Sequence, residues 1–218
     1  MERVIIFLLS FVILCAFKPQ GSSSSFTDSR DGRTYKTVTI GNQVWMAENL
    51  AYLPAFNKFS MQEDDEKCYY VQNYYGRDLE DAIETFEYKM LGALYNWPAA
   101  IDACPEGWHL PNDDEWTELI DSLGGDMVAG GPMKGTSTTY WLNPNEGATN
   151  TSGFNGFGGG YRGGQGFFND YRKTAFFWSS SEYDDEEAWY RMLTYLFPHV
   201  TRNLANKAIG MSIRCVKN

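Results

Sequence analysis

The 218-residue chain has little of what most catalytic chemistry uses: two His, four Cys, and 18 basic against 28 acidic residues. The two histidines, His109 and His199, lie far apart without the ligand spacing of a zinc site. A net charge of −10 removes the Lys/Arg face that nucleic acid or an anionic membrane surface would require, so neither is expected as a partner. There is no Gly-x-Ser-x-Gly elbow for a serine hydrolase. Gly158-x-Gly160-x-x-Gly163 matches a dinucleotide pattern only formally, because no apolar strand precedes it and no helix follows. No cofactor is expected. The apolar run Val4–Phe17, broken by Ser10, is shorter than the roughly 20 residues that cross a bilayer as a helix, and no later segment is longer.

What is present is apolar and aromatic surface. With 43% hydrophobic and 16% aromatic residues, the chain can bury a sizeable core, and disorder is excluded as its general state. Met1-Glu2-Arg3, the short apolar run and the following Lys18-Pro19-Gln20 read as a secretory signal over residues 1–20. The Ser22–Ser25 tract then suggests a flexible linker over residues 21–30. Cys15 occupies the place of a lipoprotein cysteine, although Leu14 is larger than the residue such processing requires; a lipid anchor there stays open. The reading is a secreted, cell-surface or periplasmic protein in an oxidising compartment.

Thr34–Ile40, Gly41-Asn42 and Gln43–Met46 predict a β-hairpin. Leu79, Ile83, Phe86 and Met90 recur at helical spacing and predict one amphipathic helix over residues 78–91. A second helix is expected from about Leu94 to Ala103. A third should begin at the capping box Asn112-Asp113-Asp114-Glu115, bury Trp116, Leu119, Ile120 and Leu123, and end at Gly124-Gly125. Residues 124–166 hold 14 of the 21 glycines and show no period, so a long turn-rich loop region is expected there. Strand-like segments follow at residues 175–179, 188–192 and 209–216.

The order of certain blocks resembles the Fibrobacter succinogenes major paralogous domain family. They open with Asp31-Gly32-Arg33-Thr34-Tyr35 and Ile40-Gly41-Asn42-Gln43-Val44-Trp45-Met46-Ala47-Glu48-Asn49-Leu50. Gly92-Ala93-Leu94-Tyr95-Asn96-Trp97, Cys104-Pro105-Glu106-Gly107-Trp108-His109-Leu110-Pro111 and Gly159-Gly160-Tyr161-Arg162 follow. Trp178-Ser179-Ser180-Ser181-Glu182, Ala188-Trp189-Tyr190 and Ser212-Ile213-Arg214-Cys215-Val216 close the series. The resemblance spans residues 31–218 as one domain and implies an α+β, C-type-lectin-like fold: small antiparallel sheets, two to three helices and a long Gly-rich loop region. It also implies a Cys104–Cys215 disulfide. The helical insertion stands where the family often places a partner for Cys68, which is therefore expected to carry a free thiol.

The family resemblance implies no reaction, and the residues supply no catalytic constellation. Trp141, Asn143, Asn145, Tyr161, Arg162 and Tyr183 are the candidate binding residues, as rings and directional hydrogen-bonding groups in or beside the Gly-rich region. Glu182, Asp184 and Asp185 are weak Ca²⁺ candidates, although no metal is expected, because the triplets of calcium-dependent sugar-binding lectins are absent. The expected function is an exported, non-enzymatic recognition module for an extracellular glycan or protein. The alternatives are a structural surface protein, or an enzyme on a fold like that of formylglycine-generating enzymes, whose C-terminal cysteine arrangement is not reproduced.

Overall fold

A computed structural model of the chain describes residues 24–57 and 66–218. The expected signal segment and Cys15 lie outside the described residues. The hairpin forms as the sequence reads: β2 (Thr34–Ile40) and β3 (Gln43–Met46) pair with Ile40 opposite Gln43. Gly41 makes the turn at φ +61°, in the left-handed region that glycine enters without a Cβ penalty. The expected linker ends early. Ser24–Thr27 form an edge strand, β1, on β2, with Ser24 and Thr37 hydroxyls 2.6 Å apart and the Phe26 ring 5.3 Å from Trp108. A serine-rich segment holds an edge position because hydroxyls pair across strands there.

At the far end of the chain, β12 (Val216–Lys217) inserts between β3 and β6 (Trp108–His109), giving a five-stranded antiparallel sheet in the order β1-β2-β3-β12-β6. The C terminus is thus bound to the first hairpin. Beside it, Cys215 bridges to Cys104 with a Cα–Cα distance of 5.9 Å. Cys68 takes no part in that bridge and is fully buried. A second antiparallel sheet, in the order β11-β10-β9, consists of β9 (Thr174–Glu182), β10 (Glu187–Thr194) and β11 (Val200–Asn206). Two-stranded pairs join β4 (Tyr69–Tyr70) to β5 (Leu94–Tyr95), and β7 (Tyr161–Arg162) to β8 (Phe168–Asn169).

The helices correct several expectations. In place of one helix over residues 78–91 there are two, α1 (Leu79–Glu84) and α2 (Phe86–Leu91). Thr85 separates them in an extended conformation, its hydroxyl donating to Ala82 O and accepting from Tyr88 N. The break rotates the two faces. Ala82 and Leu91 are buried, whereas Leu79, Phe86 and Met90 are 37%, 49% and 40% exposed. The second expected helix shortens to α3 (Trp97–Ile101), capped by Asn96. The third, α4 (Asp113–Ser122), carries the full capping box and buries Trp116, Leu119 and Ile120.

The Gly-rich region was expected to hold no helix, yet α5 (Asp126–Met133) lies in it. Gly130 and Gly131 explain this. A Cβ on Gly130 would stand 2.7 Å from the Pro198 carbonyl, and one on Gly131 2.5 Å from that of Gly147. Close packing against two loops overrides poor helix propensity. Among the described residues no helix is long and apolar enough to cross a membrane. The observed architecture is mixed α and β with small antiparallel sheets and few helices.

Buried rings fill the two larger of three hydrophobic clusters among the described residues. Trp45, Trp116, Phe154 and Phe177 meet in one, with centroids 4.8 to 6.0 Å apart. Tyr35 and Tyr95 are fully buried in the other. Burial pushes both phenols up, well above the usual tyrosine value. Their folded-state value is raised, so the folded chain keeps protons that the unfolded chain releases near pH 10. Stability should therefore fall as pH rises beyond about 10. Urea midpoints measured from pH 8 to 11.5 should decline over that upper range, with a late fraction of tyrosinate absorbance appearing together with unfolding. Complete tyrosine ionisation in a folded chain would contradict this assignment. Removing the bridge by Cys104→Ala with Cys215→Ala should cost about 4–5 kcal/mol in the same urea measurement, the chain-entropy value for a loop of this length.

Candidate functional site

The loops after α5 have few ladder hydrogen bonds, so their carbonyls need other donors. Lys134, fully buried, supplies three: its Nζ donates to the carbonyls of Glu146 (2.7 Å), Thr194 (2.8 Å) and Phe197 (2.9 Å). Burial lowers its amine to about 8. Arg214, also fully buried, donates to Asn49 Oδ1 and to the carbonyls of Met46, Phe154 and Asn155. Burial lowers its guanidinium to about 9.

Most of the expected binding residues belong to this internal scaffold. Trp141 is fully buried, and its indole N–H donates to Gly156 O at 3.0 Å, so no ligand can stack on it without opening the core. Asn143 is exposed, at the cis peptide to Pro144. Asn145 is half-buried in the left-handed region and donates to Gly135 O. Arg162 is fully buried, its guanidinium 4.0 Å from the Tyr70 ring centroid. Tyr183 is exposed in the β9–β10 turn and meets Trp189 edge-on. The six do not converge on one site. Of them, Tyr161 alone lines the groove described below.

The Ca²⁺ candidates already surround a cation. Lys207, nearly buried, donates from Nζ to Glu182 Oε1, to Asp184 O at 2.6 Å and to Asp185 O at 3.0 Å. The Trp97 ring lies 4.8 Å from the same ammonium. Asp184 Oδ1 accepts from the backbone N–H groups of Glu186 and Glu187. These oxygens are committed to the chain, and among the described residues no three His, Cys, Asp or Glu are grouped to hold a metal.

The groove lies where the β7–β8 hairpin folds beside the second sheet. Gly160, at φ +65°, permits this, because a Cβ there would collide with the Asn169 carbonyl. The hairpin loop closes through Gly163 N–H to Phe167 O at 2.9 Å. Two adjoining cavities share Tyr161 and Ile209 as a common wall. The inner one, 250 Å³, is lined by Phe176, Tyr190, Met211 and Asp170. The outer one, 420 Å³, is lined by Phe167, Asn169, Gln165 and the Gly163-Gly164 backbone. Tyr161 and Phe176 meet edge-on at 4.9 Å, and Phe176 and Tyr190 at 5.8 Å.

A family model described as the Fibrobacter succinogenes major domain matches residues 38–217. The chain belongs to that family. No curated protein and no solved structure matches the chain. In this Fibrobacter succinogenes major domain the matched span begins inside β2 and ends in β12, so it leaves out β1 and includes the whole second sheet and every wall of the groove.

Phe176, Tyr190 and Asp170 were not singled out from the sequence of this domain. The rings lie in strands that read as core, and Asp170 is separated from Tyr161 by the hairpin. The signal that could have found them is the Gly-x-x-Gly-Gly-x-Gly run from Gly160 to Gly166, which marks a tight hairpin beside an aromatic strand.

The described lining contains no Ser, Cys, His or Lys, and Asp170 is its one carboxylate. Such a groove can stack and hydrogen-bond a ligand, and its described walls offer no nucleophile–base pair. Lys134 anchors the loops at some distance in sequence from these walls. Lys134→Met keeps an apolar stem but leaves three buried carbonyls without their donor. A loss of about 3 kcal/mol in urea unfolding is expected, at roughly 1 kcal/mol or more for each carbonyl. An unchanged midpoint would mean that water replaces the ammonium.

Proposed function

We propose that this domain is an exported, non-enzymatic recognition module with a C-type-lectin-like fold, and that it binds an extracellular glycan in the groove walled by Tyr161 and Ile209. The observation that carries the reading is the pairing of rings with amide and carboxylate groups across two joined cavities. Flat rings cover the apolar faces of sugars, while Asn169, Gln165 and Asp170 offer directional partners for hydroxyls. The fold assignment is supported by the terminal strand returning to the first hairpin, the Cys104–Cys215 bridge beside it, and the long loop region ahead of a second sheet. Export is supported by the character of residues 1–20 and by that same disulfide.

Glycan-array screening of the mature protein should find binding that Tyr161→Ala weakens about tenfold, the equivalent of one lost stacking contact. Chelation of Ca²⁺ should leave it unchanged, because Lys207 serves the acidic loop. Binding to no glycan would overturn the reading in favour of a protein partner. Full affinity in Tyr161→Ala would move the site away from this groove.

A further inference from the structure

Phe167 stands in the loop of the β7–β8 hairpin with 61% of its surface exposed, more than any other large aromatic side chain among the described residues. A ring left in water forfeits the burial that the rings of the two large clusters obtain. Its position is nevertheless fixed. The Phe167 carbonyl accepts from two donors, Gly163 N–H at 2.9 Å and Asn169 Nδ2 at 3.0 Å. Gly166, at φ +88°, turns the chain just before it and donates to Gly163 O at 2.9 Å. Hydrogen bonds within the hairpin therefore hold the backbone that carries this exposed ring. Phe167 lines the outer cavity together with Tyr161, which is half-buried and meets Phe176 edge-on at 4.9 Å on its core side.

The rest of that lining sets the chemistry of the ligand. Gly163 and Gly164 contribute backbone alone, Gln165 and Asn169 exposed amides, and Ile209 an apolar side chain. Among the described residues of this wall none is charged. The arginines of the same stretch are engaged elsewhere. Arg162 is buried with its guanidinium 4.0 Å from the Tyr70 ring centroid, and Arg172 donates to Thr138 O at 2.6 Å. Amides and backbone groups both donate to and accept from hydroxyls, which a neutral sugar carries around its ring. An acidic sugar would bring a carboxylate or sulfate against a wall without a cation, losing hydration and gaining no ion pair. It would also approach a chain whose net charge is −10.

We propose that the outer cavity selects neutral glycans over acidic ones, with Phe167 as a second stacking residue beside Tyr161. This rests on the groove being the glycan site; it names the ligand class and adds a residue to that site.

The test scores the array binders of the mature protein by charge, setting neutral oligosaccharides against those that carry uronate, sialate or sulfate groups. The binders should be neutral. In calorimetric titration the tightest of them should lose about tenfold in affinity with Phe167→Ala, and Phe167→Trp should restore it. Both variants should keep the wild-type urea midpoint, because the ring lies outside the core. Affinity should stay constant between about 20 and 500 mM salt, since no ion pair contributes. An acidic glycan bound as tightly as any neutral one, or affinity that falls with salt, overturns neutral selection and leaves the groove as a glycan site. Full affinity in Phe167→Ala with loss in Tyr161→Ala removes Phe167 from that site. Binding to no glycan at all overturns the underlying reading, and this inference with it.

Discussion

Three buried cations hold the irregular part of this protein together. Lys134, Lys207 and Arg214 each donate to two or three backbone carbonyls of loops and strand ends. A buried charge is costly, and the lowered amine of Lys134 and guanidinium of Arg214 register that cost. Orphaned carbonyls in the same places would be costly too. Placing one ammonium or guanidinium against several carbonyls settles both needs. The acidic surface follows naturally: a chain with few cations that puts several inside keeps few for the outside.

This arrangement explains which features the sequence displays. Hairpin β2–β3 and helix α4 are legible because their determinants are local: a Gly-Asn turn between alternating residues, and a capping box closed within four positions. The Cys104–Cys215 bridge is legible only through the order of family blocks, since spacing alone leaves the pairing open. The break at Thr85 is hidden because the spacing of Leu79, Phe86 and Met90 fits a continuous helix, while one side-chain hydroxyl ends it. Helix α5 is hidden for the opposite reason. Its Gly-Gly-Pro sequence argues against a helix, and contacts with loops far along the chain stabilise it.

The candidate site shows the same division. Trp141 lies in a loop-rich stretch and reads equally well as an exposed ring or a core one, and the cradle of Lys134 and the loop carbonyls draws it inward, to 5.8 Å from that ammonium. Glu182 and Asp184 read as a solvated acidic surface with weak Ca²⁺ candidates, because nothing in the local sequence shows Lys207 arriving from beyond β11. Phe176 and Tyr190 read as core and are almost core. Their small open edges become a wall only when the β7–β8 hairpin stands beside them. A groove made from parts that are separated by a hairpin, a strand and a sheet register has no local signature.

The cation cradles contact main-chain oxygen, which every residue type carries. Loop side chains can therefore change without loss of the contacts that fix the loop path. Only positions such as Gly130, Gly131 and Gly160, where a Cβ would strike backbone, are held to one residue. The most buried acids follow the same logic with side chains: Asp28 pairs with Arg30, and Asp113 with both Arg191 and Arg202, so each charge taken from water meets another at once.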